Sequence, residues 1–90
     1  MTMNTVFFLM AQYDGLVVIP VEWVVRDYFR HLSEEKFLRK CLACEIDLPV
    51  VRIESSQKSA KGIHVNELAA YLDKQAAAAR KEFEQLHKAG

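Results

Sequence analysis

The stretch PVEWVVRDYFRHLSEEKFLRKCL, residues 20–42, decides the fold. Val21, Val24, Val25, Tyr28, Phe29 and Leu32 recur at i, i+3, i+4, i+7, i+8 and i+11, which is one apolar face of a helix. Pro20 suits the first turn of that helix, where a missing N–H costs nothing. The opposite side carries Trp23, Arg26, Asp27 and Arg30. A second helix should start at Ser33, whose hydroxyl can cap it and whose followers Glu34 and Glu35 complement the helix dipole. Its inner face reads Phe37, Leu38, Cys41 and Leu42, and its outer face Lys36, Arg39, Lys40 and Ala43. Only Arg30, His31 and Leu32 separate Phe29 from Ser33, so the two helices join through a tight turn and cross steeply.

Downstream, Leu48-Pro49 closes the helical region. Val50 to Ile53 alternates like a strand and Gly62 to Val65 offers a second, giving a hairpin over 50–65 with a polar loop between. Gly62 is read as the residue that lets the backbone turn back into the second strand. Asn66 is expected to cap a carboxy-terminal helix over 66–88, with Leu68, Ala69 and Leu72 inward. Along its alanine-rich extension Leu72, Ala76, Ala79, Phe83 and Leu86 recur with heptad-like spacing. That stripe packs either on the amino-terminal segment or on a second subunit.

Upstream, NTVFFLMAQY at 4–13 is almost wholly apolar, and periodicity does not separate helix from strand at this length. Asn4 as a cap and Leu9, Met10, Ala11 and Gln12 favour helix. Asp14-Gly15 signals a turn, and Leu16 to Ile19 is a short β-branched run stopped by Pro20. Strand, helix, tight turn, helix, hairpin, helix is the order of a winged helix-turn-helix. The expected fold is α+β, mainly α: one domain over 1–90, with the helix-turn-helix at 20–45, a two-stranded β wing and an extended carboxy-terminal helix.

In such a unit the second helix presents its outer face to the major groove of double-stranded DNA while the hairpin tip rests on the adjacent backbone. Arg30, Ser33, Lys36, Arg39 and Lys40 would serve the helix. Ser55, Ser56, Gln57, Lys58 and Lys61 would serve the wing, since small hydroxyls, amides and lysines suit phosphates. A polar hairpin loop is also what solvent alone selects. Glu34 and Glu35 count against groove contact unless they accept from a cytosine amine. Trp23, beside Arg26 and Arg30, is either a surface aromatic under an arginine stem or a backbone or partner contact.

Composition removes several other classes. Twelve Lys and Arg balance twelve Asp and Glu, so net charge recruits neither nucleic acid nor membrane and the distribution has to decide. Residues 1–25 carry only Asp14 and Glu22 as charged groups, whereas 26–61 hold eight basic residues against six acidic. The apolar run Val6 to Ala11 has no basic flank or cleavage pattern and is too short to span a bilayer, so the chain reads as cytoplasmic. Cys41-Leu42-Ala43-Cys44 is formally C-x-x-C, but it lies in a helix with no second pair. His31, His64 and His87 follow no ligand or catalytic spacing, so no metal, cofactor or enzymatic activity is expected.

Four ordered segments carry a family likeness: NTVFFLMAQY (4–13), VIPVEWVVRDYF (18–29), LPVVRIESSQKSAKGIHV (48–65) and ELAAYLD (67–73). In these the chain resembles the pyocin activator family, PrtN-like proteins of bacteria and their prophages. Its core is similar to the wider group of excisionase and MerR-type winged helices. The resemblance implies a DNA-binding transcriptional activator of pyocin or phage-tail-like bacteriocin genes, acting at repeated upstream boxes as a homodimer or in tandem, with RNA polymerase a further partner. It implies a recognition helix over 33–44 and a wing at SQKSAKG, 56–62. Cys44 departs from the pattern, standing where a glycine is expected to close the helix. The alternative is a phage-encoded adaptor of the same shape that uses Trp23 and the carboxy-terminal stripe to grip a protein and binds no DNA itself.

Overall fold

The computed structural model describes residues 4–56 and 59–89; Gln57 and Lys58, both expected at the hairpin tip, lie outside the described residues. Helix α1 (Thr5–Gln12) is followed by strand β1 (Val18–Pro20), helices α2 (Val21–Tyr28) and α3 (Glu34–Leu42), strands β2 (Val51–Arg52) and β3 (Lys61–His64), and helix α4 (Val65–Ala89). The mixed, mainly helical architecture expected from the sequence is therefore present.

The apolar amino-terminal segment is a helix. Asn4 caps it by accepting from the Val6 N–H at 2.9 Å, and Leu9 and Tyr13 carry it into the core. Asp14 and Gly15 then take positive φ values of 55° and 78° and reverse the chain, as their turn chemistry dictates.

The expected two-stranded hairpin is present as β2 and β3, and strand β1 adds to it to make a three-stranded sheet in the order β1-β3-β2. Pairing is antiparallel, with Ile19 opposite Ile63, Pro20 opposite Gly62, and Val51 opposite Gly62 from the other side. Gly62 therefore sits in the middle strand and not at a turn. A Cβ there would lie 2.6 Å from both the Ile19 carbonyl oxygen and Val18 Cγ1, so the lack of a side chain is what lets β1 close on β3. Pro20 ends this edge strand and precedes α2 by one residue, at its N-cap, where its missing N–H breaks no ladder bond.

Two other local expectations change. Helix α2 ends at Tyr28, so Leu32 reaches the core from the turn and not from the helix. Helix α4 starts at Val65, capped by His64, whose Nδ1 accepts from the Asn66 N–H at 3.0 Å; Asn66 is inside the helix and caps nothing.

The core gathers one face from every helix and the buried strand β3. Val24, Ile19, Ile63, Phe37 and Leu68 are its most enclosed large side chains. Phe29, at the end of α2, locks three helices together: its ring centroid lies 4.8 Å from Phe37 of α3 and 5.8 Å from Tyr71 of α4. Among the described residues no buried side-chain nitrogen or oxygen lacks a partner. From Asp73 to Lys88, α4 is exposed throughout and projects from this body, which stretches the molecule to 53 Å in its longest dimension.

Candidate nucleic-acid interface

Helix α3 begins as its sequence requires. Ser33 Oγ accepts from the Lys36 N–H at 3.1 Å, and Phe37 and Cys41 point inward. Leu42, expected inside, is 69% exposed, because Phe37 and Cys41 already fill the face that meets the core. Lys36 and Arg39 are on the solvent side, and Lys40 is half-buried. Arg39 pairs with Glu35 at 3.7 Å and Lys40 with Glu45 at 3.3 Å, so two of the three cations already have carboxylate partners. Lys36 makes no ion pair among the described residues. Arg30 donates from Nε to the Arg26 carbonyl at 3.2 Å, which ties its stem along the end of α2.

The end of α3 sets the direction of the hairpin. Cys44 adopts φ 62°, the left-handed conformation that closes a helix, although it is not glycine. The Glu45 N–H bonds back to the Lys40 carbonyl at 2.9 Å and the Cys44 N–H to Cys41 at 3.1 Å, completing the six-residue closure. Chain direction then passes through Leu48, buried, and Pro49 into β2.

The hairpin and α3 share the walls of a groove of about 320 Å³, lined by Leu38, Cys41, Leu42, Pro49, Arg52 and Lys61 among others. Arg52 and Lys61 are directly opposite each other across β2 and β3. The register therefore sets two basic side chains next to each other on this wall of the groove. Arg52 was not singled out from the sequence. The signal was available in the alternation Val51-Arg52-Ile53, once the hairpin register is known to set Arg52 against Lys61. A second depression joins Glu22, Glu34 and Leu38 to Ser59 and Lys61, so the hairpin flanks the first turn of α3. Ser55 and Ser56 are exposed near the tip, and Ser59 Oγ donates to the Glu54 carbonyl at 2.9 Å to close the loop.

Trp23 is not on a free face. It stacks on buried Tyr13, the residue that follows α1, with centroids 6.1 Å apart, while Arg26 lies over it at 5.8 Å. Beneath, Asp27 accepts from the Tyr13 hydroxyl at 2.6 Å and from Arg26 Nε at 2.8 Å. The Arg26 bond, and then the Tyr13 bond, hold the Asp27 carboxyl down at about 2. Burial, followed by the Asp27 bond, pushes the Tyr13 hydroxyl well above its ordinary value. The carboxy-terminal end of α1 is thus tied to the side opposite the apolar face of α2, while the helix itself lies against α4.

Of the remaining candidates, Cys41 is buried, and burial pushes its thiol up to about 11; Cys44 is exposed. No group of three or more His, Cys, Asp or Glu side chains among the described residues is placed to hold a metal ion. No helix among them is long and apolar enough to cross a membrane. On α4, Leu72 is half-buried against the core, whereas Ala76, Ala79, Phe83 and Leu86 are exposed and do not pack on the amino-terminal segment.

The model of one protein family, described as pyocin activator protein PrtN, matches residues 5–79. No curated protein and no solved structure matches the chain.

Proposed function

From a chain that belongs to the pyocin activator protein PrtN family, we propose a DNA-binding transcriptional activator that grips the duplex between the outer face of α3 and the hairpin. The observation that carries this reading is the cross-strand pair Arg52 and Lys61, set on the wall of a groove whose other wall is α3. Two cations set side by side by the register offer adjacent donors to one phosphate. Lys36 and Arg39 lie along the exposed side of α3, where base edges would be read, and Ser55 and Ser56 add hydroxyl donors at the hairpin tip. Repeated boxes upstream of pyocin or related bacteriocin genes are the natural target, with RNA polymerase the partner that such an activator must engage.

Titration of the upstream DNA of the neighbouring operon at several salt concentrations tests this. Each phosphate contact contributes about one unit to the slope of log affinity against log salt, so Arg52→Ala with Lys61→Ala should weaken binding to all sequences and flatten that slope by about two. Arg39→Ala should reduce the preference for the true site as well. An unchanged affinity and slope in the double variant would refute the groove as the phosphate site.

A protein-binding adaptor is the second reading, favoured by Leu42 and Ile53, which are 69% and 65% exposed. Under it the chain would show no salt-dependent DNA binding at all in the same titration.

A further inference from the structure

The projecting stretch of α4 and helix α1 leave apolar surface uncovered at both ends of one helix. Phe7 is 69% exposed, Phe8 56%, Phe83 48% and Leu86 67%. Helix α1 is apolar on nearly every side, a composition suited to a helix covered all round. Thr5 Oγ1 donates to Asp73 Oδ1 at 2.5 Å, so Phe7 and Phe8 stand within one turn of the point where α4 leaves the body. Phe83 and Leu86 mark its tip, roughly 20 Å further along the axis at 1.5 Å per residue. Between them lie four successive alanines, 76–79, which leave a shallow saddle.

We infer that this face of α4 pairs antiparallel with the same face of a second copy of the chain. An isologous contact covers root and tip at once, because each tip falls on the other root. With Ala79 opposite the partner's Ala79, the spacing sets Leu72 against the partner's Leu86 and Phe83 against the partner's Gln75, beside Ala76. Phe83 thus lies next to the alanine saddle, whose small side chains let the helices approach closely. At ~200 Å² per aromatic side chain, the four exposed residues offer roughly 450 Å² per protomer, or about 900 Å² between two. Leu72 and the alanines carry this past the ~1,000 Å² that a specific interface requires. Arg80 would flank the partner's Arg80, but its charge is held by Glu84 at 3.2 Å and its guanidinium lies over Phe83 at 5.5 Å. The interface stands apart from the α3 groove and does not depend on DNA binding.

Sedimentation equilibrium of the full chain tests it, with concentration raised from ~1 µM to ~500 µM. The mass should climb from 10.3 kDa to twice that value. Phe83→Glu with Leu86→Glu, and separately Phe8→Ser in α1, should each raise the dissociation constant at least about tenfold with helical circular dichroism retained. A nitroxide on Lys88→Cys, in a Cys44→Ser background, reads the orientation. Tips of an antiparallel pair stand ~27 Å apart, and those of a parallel pair about 10 Å. A monomer at every concentration, a dimer indifferent to both sets of substitutions, or tip labels in close contact would overturn the inference.

Discussion

Replacing Cys44 with glycine should stabilise the protein. Cys44 sits at φ 62° because the helix must end there: the Glu45 N–H returns to the Lys40 carbonyl and Ile46 turns back into the core. A residue bearing a Cβ pays about 1–2 kcal/mol in that region through the clash of Cβ with the following carbonyl. Glycine removes the clash and gives back roughly 0.5–1 kcal/mol through the larger freedom of the unfolded chain. The Cys44 side chain is exposed, so no packing is lost with it. The net gain is about 0.5–1 kcal/mol, which for a chain this size corresponds to a rise of ~2–6 °C in melting temperature. Urea titrations and thermal melts of Cys44→Gly beside Cys44→Ser measure it, since serine removes the thiol and keeps the Cβ. A glycine variant no more stable than the serine variant would show that the left-handed closure carries no strain.

Three further substitutions probe the framework that sets the groove. Gly62→Ala should cost about 2–3 kcal/mol, read as a lower urea midpoint, because its Cβ meets the Ile19 carbonyl oxygen at 2.6 Å and backbone has to move. Ser33→Ala should cost about 1 kcal/mol in the same experiment through the lost cap on Lys36 N–H. Asp27→Asn tests the joint between α1 and α2. Its carboxyl is held at about 2, below the ~3.9 of an unfolded chain, so its stabilisation is complete above about pH 4 and disappears as the pH falls toward 2. With Arg26 62% exposed, the pair is screened, and the substitution should cost about 1 kcal/mol at pH 7 and nothing near pH 2.

What could be read from the sequence was whatever is settled within a few residues. The i, i+3, i+4 recurrence of Val21, Val24 and Val25 placed α2 and its inner face, and Asn4 and Ser33 marked helix starts that the structure caps with those side chains. What was missed depends on partners far along the chain. Gly62 looked like a turn glycine because nothing nearby says that β1, more than forty residues earlier, lies against it. Trp23 was legible as an aromatic under an arginine stem, which Arg26 supplies, but not its stacking on Tyr13, which belongs to a segment whose own structure was ambiguous. Leu42 looked buried because periodicity counts apolar positions and not the width of the face the core can accept. At the candidate site, the cations of α3 were legible, but Arg52 emerges only from the register that sets it beside Lys61.

That register also bears on how a chain with zero net charge would hold DNA. On α3, Arg39 and Lys40 already have carboxylate partners, Glu35 and Glu45, so their approach to phosphate exchanges one ion pair for another. Such exposed pairs are each worth at most about 1 kcal/mol, so the exchange is cheap and contributes little net affinity. Arg52 and Lys61 add two cations side by side on the hairpin, where a single phosphate can meet both. Affinity is then expected from the hairpin, and discrimination from α3, where a side chain leaves its carboxylate only for an acceptor of matching geometry. Under that reading Glu34 and Glu35 would reinforce the division by repelling a backbone that enters α3 out of register, so a wrong site would lose more at the helix than a right site gains.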